Sequence, residues 1–385
     1  MHNGITRGGV MKKNIQHGVS AFLLCASLTL MSACTDTQDS TKSASIHVSE
    51  NTKNTKLKAG SATVAFEERQ VTYSSAYIID GEEVTINGGT YQSAITNQNV
   101  FLVVNGGKLT IKNATITKNK DTNKSDADTS LGLNASIVVV GNESSATLSN
   151  CIIETNASDS DAVYVTNEAS LIIEKSEILT TKQNANGLNA TYSASIEASD
   201  LTVTTNKNNS IPILNDNSKI QVSNSTLKTK GEDSPCVYTK GETTLKSVRG
   251  NANNSQAIEI VENKLILKKC NFNSGSNCGI LITQDDNNKN EVTLSAYKSV
   301  IQNSSEGGLF QIESTKATID IEDCTLKNQT STLISANTNS EVTFNSETQN
   351  LSGDIFADKK SSISVNLKNS IINGSSEGNV VISQK

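Results

Sequence analysis

The chain repeats one pattern of apolar and polar positions along most of its length. The segment from Leu109 to Thr117, LTIKNATIT, alternates in the way that is typical of a half-buried β-strand. Related segments recur as TLSNCII, LIIEKSEIL, SIEASDLTV, IQVSNSTL, LILKKCNF and IDIEDCTL. A recurring unit of short strands predicts stacked repeats, because one unit alone cannot bury its apolar side.

The repeats align on one inward aliphatic position, which we call the anchor. The anchors are Ile86, Ile111, Leu148, Ile173, Ile196, Val222, Leu245, Leu267, Leu294, Ile321, Phe344 and Leu367. Successive anchors lie 22 to 27 residues apart, except for one spacing of 37. In nine of the twelve repeats a large apolar residue follows the anchor five positions later. This period without a helical segment predicts a solenoid.

We predict an all-β fold, a right-handed parallel β-helix of about twelve coils over residues 63–385. Strands stacked about 4.8 Å apart would make a domain roughly 55 Å long. A leucine-rich repeat needs Leu at fixed positions, whereas Ile, Val and Thr dominate here. The hexapeptide rhythm of a left-handed β-helix is not found in this sequence.

The position three residues after the anchor predicts a tight corner that stacks on itself. It holds mostly small residues: Gly89, Ala114, Cys151, Ser176, Ser199, Ser225, Val248, Cys270, Tyr297, Cys324, Glu347 and Ser370. One position earlier, Asn113, Asn150, Asn224 and Asn369 predict a short, interrupted asparagine ladder between coils.

The alignment also predicts that the cysteines of the repeats are free. Cys151, Cys270 and Cys324 share the corner position but never in adjacent coils, and Cys236 and Cys278 lie two coils apart. Two coil rises span about 10 Å, more than the roughly 7 Å that a disulfide allows between Cα atoms. We expect five small apolar side chains inside the fold.

Residues 1–34 predict an export signal, with Met11 as an alternative start. A basic segment precedes VSAFLLCASLTLM, whose thirteen residues are fewer than the ~20 that span a bilayer. The run ends in LMSAC and resembles a bacterial lipoprotein signal, in which Cys34 becomes the lipidated terminus. It departs from that pattern at Met31, where Leu is usual, and an ordinary signal cut after Ala33 is the alternative.

The polar residues 35–62 predict a flexible tether between this signal and the repeats. Cleavage before Cys34 would remove three basic residues and leave 30 Lys and Arg against 39 Asp and Glu, a net charge of −9. That acidic balance argues against a nucleic-acid partner. The repeats contain no His, no Trp and only two arginines, Arg69 and Arg249, so we assign no catalytic residue.

Two Asp-x-Asp pairs are the candidate metal ligands in the sequence. Asp126 and Asp128 lie in the insertion DTNKSDADTS, and Asp159 and Asp161 lie in ASDSDA, before the strand of the next coil. Four carboxylates at one edge predict a calcium site, because calcium binds oxygen ligands. The alternative is a solvated acidic loop and a polar turn. No other cofactor is indicated.

The outward row just before the anchors has some features of a flat threonine array of the ice-binding kind. It reads Thr85, Thr110, Thr147, Ile172, Ser195, Gln221, Thr244, Ile266, Thr293, Asp320, Thr343 and Asn366. The interruptions count against this interpretation, and threonine is a common strand residue in any case.

Longer segments resemble a family. VFLVVNGGKLTIKNATITK, DTNKSDADTSLGLNASIVVVG and TFNSETQNLSGDIFADKKSSISVNLKNS are similar to adhesin-like right-handed β-helix proteins of bacterial surfaces, from about Tyr77 onward. The resemblance implies the pectate-lyase-like solenoid fold, an exported surface protein, and adhesion or carbohydrate binding, with no catalytic residues to transfer.

The leading hypothesis is a non-enzymatic protein, lipid-anchored at the cell surface, that binds a polysaccharide or a cell-surface glycan or protein. Membrane contact would be through the lipid anchor alone. The alternatives are a polysaccharide lyase or hydrolase on the same fold, and a structural spacer or assembly module. The last is suggested by NVVISQK, a strand pattern at the end of the sequence that predicts self-association at the C-terminal coil.

Overall fold

A computed structural model describes residues 57–66, 69–123, 131–284 and 290–384. The predicted signal with Cys34, most of the tether, and Asp126 and Asp128 lie outside these ranges. Within them every regular element is a β-strand, and no helix is long and apolar enough to cross a membrane. Gly60 to Ala62, assigned to the tether, belong to the first strand because they pair with the second.

The strands follow one another in chain order with short connections. The first thirteen are β1 (Gly60–Phe66), β2 (Arg69–Asp80), β3 (Glu83–Asn87), β4 (Thr90–Ser93), β5 (Asn99–Val104), β6 (Lys108–Lys112), β7 (Thr115–Lys118), β8 (Ile137–Val140), β9 (Ser145–Ser149), β10 (Ile152–Thr155), β11 (Val163–Thr166), β12 (Ser170–Glu174) and β13 (Glu177–Thr180). The next thirteen are β14 (Leu188–Thr191), β15 (Ser195–Ser199), β16 (Thr202–Thr205), β17 (Ile213–Asp216), β18 (Lys219–Ser223), β19 (Thr226–Glu232), β20 (Val237–Thr239), β21 (Glu242–Lys246), β22 (Arg249–Asn254), β23 (Ile258–Ile260), β24 (Lys264–Lys268), β25 (Asn271–Ser274) and β26 (Ile280–Ile282). The last thirteen are β27 (Val292–Tyr297), β28 (Val300–Asn303), β29 (Phe310–Glu313), β30 (Lys316–Glu322), β31 (Thr325–Asn328), β32 (Thr332–Asn337), β33 (Glu341–Glu347), β34 (Asn350–Ser352), β35 (Asp354–Ala357), β36 (Ser362–Lys368), β37 (Ile371–Asn373), β38 (Ser376–Glu377) and β39 (Asn379–Gln384).

The strands form three long sheets that run along the stack of coils. Sheet A has 14 strands, sheet B has 13 and sheet C has 10, and β34 and β37 form a separate pair. Each coil gives one strand to each side, and strands of neighbouring coils pair in parallel. Coil 1 is β2 to β4 and coil 12 is β35 to β37. The predicted parallel solenoid of about twelve coils is confirmed.

Strand pairing corrects the predicted anchors in three coils. The register places Ala198, Ala296 and Ser346 in the anchor position, each two residues after the predicted Ile196, Leu294 and Phe344. A two-residue shift keeps side chains on the same face, so the larger apolar residue misled the alignment. The corrected register puts the buried residues Val203, Ile301 and Leu351 five positions after those anchors. Eleven of the twelve coils then carry a large apolar residue there, and Gly250 is the exception.

The corner between sheets B and C has the same backbone in every coil. Its residue has a left-handed φ, between 48° and 58°, in eleven coils and is Gly88 in the first. Those eleven are Asn113, Asn150, Lys175, Asp200, Asn224, Ser247, Lys269, Lys298, Asp323, Thr348 and Asn369. The asparagine ladder forms at its start, where Asn150 donates to Asn113 (3.3 Å) and Asn113 donates to Asn87 (2.7 Å). Asn and Gly tolerate this conformation better than most residues, which explains why Asn fills four of these corners and Gly a fifth.

The next corner position carries hydrogen bonds between coils. The Ser176 hydroxyl accepts from the Cys151 N–H at 3.0 Å, and Ser299 accepts from Cys270 at 3.0 Å. The register corrects this row too, since Leu201, Ser299 and Gln349 stand where Ser199, Tyr297 and Glu347 were predicted. Side-chain oxygens of this row therefore bridge neighbouring coils, mostly as serine hydroxyls and once as the Gln349 amide oxygen, which accepts from the Cys324 N–H at 3.0 Å. All five cysteines of the repeats are free, as predicted, with Cys324 half-buried and the others buried.

The apolar core fills the inside of the coils and is closed at its first end by aromatic rings. Tyr77, Tyr91 and Phe101 pack with ring centroids 5.2 to 5.5 Å apart, and Leu57 packs on the same core. Aromatic side chains bury large areas, so this cluster shields the first coil from water.

A second apolar cluster lies outside the coils. The antiparallel hairpin of β1 and β2 covers the outer face of sheet A in the first coils, and Phe66 and Tyr73 pack there on Leu102, Val138 and Tyr164. The Tyr73 hydroxyl donates to the Leu131 carbonyl at 2.9 Å. This part of sheet A is therefore closed to ligands.

Candidate functional site

A groove of about 390 Å³ lies on the outer face of sheet B, over coils 8 to 12. The outward residues of five neighbouring strands line it: Ile266, Lys268, Ser295, Tyr297, Asp320, Glu322, Asn345, Glu347, Asn366 and Lys368. Three of these strands, β30, β33 and β36, are seven residues long, against five for β3 to β24 of the same sheet. The lengthened strands widen the outer face at this place.

One row of side chains in the groove is held by hydrogen bonds between coils. The Asn345 amide donates to the Asp320 carboxylate at 2.7 Å, and the Asn366 amide donates to the Asn345 carbonyl oxygen at 2.9 Å. The three residues stack because β30, β33 and β36 pair in register. The row therefore presents fixed oxygen and nitrogen atoms to a ligand, at the spacing of the strands.

The neighbouring row carries most of the charges and the one aromatic ring among the residues that line the groove. From coil 8 to coil 12 it reads Lys268, Tyr297, Glu322, Glu347 and Lys368. Lys368 forms an ion pair with Glu347 at 2.7 Å, and this contact raises the pKa of Lys368. Carboxylates thus occupy the middle of the row and ammonium groups its ends.

The carboxylate, amide, ammonium and aromatic groups of the groove are suited to contact a ligand with many hydroxyl groups. Carboxylate and amide oxygens accept hydrogen bonds from hydroxyl groups, and the amide and ammonium groups donate to them. The half-buried Tyr297 ring adds an aromatic surface beside these polar groups, with the Lys298 ammonium 4.9 Å from the ring centroid.

Asp159 and Asp161, the two described candidates for calcium ligands, lie between β10 and β11 and do not line the groove. Burial raises the pKa of Asp161, whose oxygens accept from the amides of Asn189 (2.8 Å) and Asn186 (2.8 Å). Asp159 accepts from the Asn184 amide at 2.7 Å. Among the residues described, no three His, Cys, Asp or Glu side chains are grouped to hold a metal. Because Asp126 and Asp128 lie outside those residues, the four-aspartate calcium site stays a prediction.

The sequence did not reveal the groove, although it named some of its residues. Asp320 and Asn366 appeared in the outward threonine row, but their neighbours there were misplaced. The register puts Glu197, Ser295 and Asn345 in that row instead of Ser195, Thr293 and Thr343. The correction further interrupts the proposed threonine array. The longer alternation in KATIDIE and EVTFNSE was the signal that could have located the groove.

Comparison with known proteins agrees with this fold. Residues 136–296 match the model of a family described as right handed beta helix region. No match is found among curated proteins.

Two solved structures of PfbA, a surface adhesin of Streptococcus pneumoniae, are also similar. One is 9% identical, covers 79% of this chain and 91% of its own, and has a TM-score of 0.29. The other is 10% identical, covers 79% of this chain and 85% of its own, and has a TM-score of 0.22. Likeness at this level does not bear on function. The strand topology, with the match over the central coils, identifies the described part of the chain as a right-handed parallel β-helix.

Proposed function

We propose that this chain is an adhesin-like surface protein that binds an extended polysaccharide or cell-surface glycan without chemical conversion. Export and lipid anchoring through Cys34 are part of the proposal and rest on the signal pattern of residues 1–34. The observation that carries the binding function is the groove on sheet B, where a hydrogen-bonded polar row lies beside Tyr297 and the Glu322 and Glu347 carboxylates.

The groove is suited to a chain-like ligand because its rows repeat from coil to coil. Equivalent atoms recur about every 4.8 Å along the stack. A ligand with repeating hydroxyl groups could contact several coils at once, so that weak contacts would add up.

The test is retention of the full chain on insoluble polysaccharides, mucin and whole bacterial or host cells. Tyr297→Ala and Glu322→Gln should each reduce retention about tenfold or more on the surface that binds. Glu174→Gln is the matched control, because Glu174 lies in the same row as Glu322 but in coil 4, outside the groove. Retention that is unchanged by both groove variants would contradict the proposed site.

The same samples separate binding from catalysis. Release of reducing or unsaturated ends from any of these polysaccharides would favour the lyase or hydrolase alternative. Loss of that release on Asp159→Ala or Asp161→Ala would assign it to the second Asp-x-Asp pair.

A further inference from the structure

The edge strand β1 carries an inference that is independent of the groove. β1 is the first strand of sheet A, and β2 is its one strand partner within the described part of the chain. Its sequence, GSATVAF, contains no charged residue and no proline over seven positions. An edge with this composition is a template for another strand, because its outer N–H and C=O groups have no strand partner among the described residues.

The first strands of the other two sheets are protected in ways that β1 is not. β3 begins at the exposed Glu83, and Glu82 precedes it. β4 has only four residues. Charge and short length are two of the devices that keep edges from pairing. The contrast indicates that the β1 edge is open for pairing.

One face of β1 is exposed to solvent, at Ser61, Thr63 and Ala65. Phe66, at the end of β1, packs against Tyr192 with ring centroids 5.5 Å apart. Tyr192 directly follows β14 of sheet A and precedes β15 of sheet B, so it lies at the corner between these sheets. β1 therefore ends beside a corner of the coil.

We propose that β1 pairs antiparallel with β1 of a second copy of this chain, centred on Thr63. In this register Thr63 lies opposite Thr63 of the partner subunit, and two threonines form a favourable cross-strand pair. The same register places Ala62 opposite Val64 of the partner subunit. It also places Gly60, which has no side chain, opposite the bulky Phe66 of the partner subunit.

The lack of charge makes a second copy the fitting occupant. The chain has a formal net charge of −6, so two copies carry a net repulsion between them. β1 contributes no charge to that repulsion. Sheet A would then continue from one subunit into the other, in the isologous arrangement that closes a dimer.

The test is the association state of the full chain carrying Cys34→Ser, which removes any acyl group. Sedimentation should show a concentration-dependent dimer. Thr63→Lys should weaken it at least tenfold, because two like charges would meet at the centre of the pair. Thr72→Lys is the matched control, since Thr72 faces Thr63 within the hairpin but lies on β2.

A cross-link locates the pair. Opposite residues of antiparallel strands have Cα atoms about 4.5–5.5 Å apart, within the range for a disulfide. Thr63→Cys should give a covalent dimer on oxidation, and Thr72→Cys should not. A monomer at every concentration, or equal effects of the two lysine variants, would overturn the proposal. A dimer that resists Thr63→Lys but is lost on Ile382→Lys would overturn it in favour of the C-terminal coil.

Discussion

Phe272 occupies the space that Gly250 leaves in the coil before it. Gly250 pairs with Phe272 in sheet C, at the inward position where the other coils carry a large apolar residue. A Cβ atom on Gly250 would overlap the Phe272 ring and touch the Cys236 sulfur at 3.3 Å. The missing side chain of one coil is therefore supplied by the next.

We expect Gly250→Ala to lower the free energy of unfolding by about 1–3 kcal/mol, because the added methyl overpacks the core. Phe272→Leu should also destabilise the protein by itself, through the lost ring. The double variant should lose less unfolding free energy than the two single variants lose together, because the smaller side chain at 272 makes room for the added methyl. Denaturant titration of the four proteins measures this coupling, and strict additivity would contradict the packing described.

Lys118 is fully buried, and its ammonium nitrogen donates to the Ile95 carbonyl at 2.5 Å. Burial lowers the pKa of Lys118 from 10.5 to about 8, partly offset by the Asp121 carboxylate. The folded state therefore releases this proton at a lower pH than the unfolded chain does. The free energy of unfolding should rise as pH increases from about 8 to 10.5, by about 1–3 kcal/mol from this residue.

The check is the denaturation midpoint at pH 7.5 and pH 10 for the native protein and Lys118→Met, because most of the expected rise falls between these two pH values. Burial raises the pKa of the Cys236 thiol and of the Tyr73 hydroxyl, which lowers stability at high pH in both proteins. The difference between the proteins isolates Lys118. Parallel pH profiles would show that the buried amine keeps its ordinary pKa.

Asn345 separates Asp320 from Asn366 in the groove and bonds to both. In Asn345→Asp, two carboxylates would meet at a distance where only one ionises easily, so the pKa of the pair would rise. The free energy of unfolding of the variant should equal that of the native protein near pH 4 and be about 1–2 kcal/mol lower at pH 7. Thermal unfolding at the two pH values measures this, with Asn273→Asp on sheet C as a control outside the groove.

Calcium binding by Asp126, Asp128, Asp159 and Asp161 predicts a higher unfolding temperature in calcium than in a chelator. At a concentration 100 times the dissociation constant, the gain would be about 2.7 kcal/mol. Asp126→Asn with Asp128→Asn should abolish it, whereas Asp285→Asn should not. An unfolding temperature that is independent of calcium in the native chain would reject the site.

The repeat determined the fold because a β-helix is built from contacts between equivalent residues of neighbouring coils. Apolar alternation, polar turns and small corner residues recur at the period of one coil, so a single sequence contains many copies of the same signal. That is why the parallel strands, the number of coils and the free cysteines followed from the residues alone.

Register was the first property that only the tertiary structure decided. Alternation has a period of two, so Ile196 and Ala198 satisfy it equally, and hydrogen bonding between coils selected Ala198. The same ambiguity concealed the row of Asp320, Asn345 and Asn366. The alternation does not distinguish two registers that differ by two residues. Strand length and strand pairing therefore determine where the groove lies.

The hairpin and Lys118 show the second limit of the sequence. The contact of Phe66 with Tyr192 joins residues more than a hundred positions apart and occurs once. The repeat pattern therefore does not predict it. Lys118 pairs with Ser93 and Thr155 in the neighbouring strands. From the sequence alone, a lysine at this position is expected to be a surface residue. The sequence by itself determined the stacked coils, because their contacts repeat. The tertiary structure decided the groove, because register and strand length differ between coils. It also decided the hairpin and the buried lysine, because their contacts are made only once.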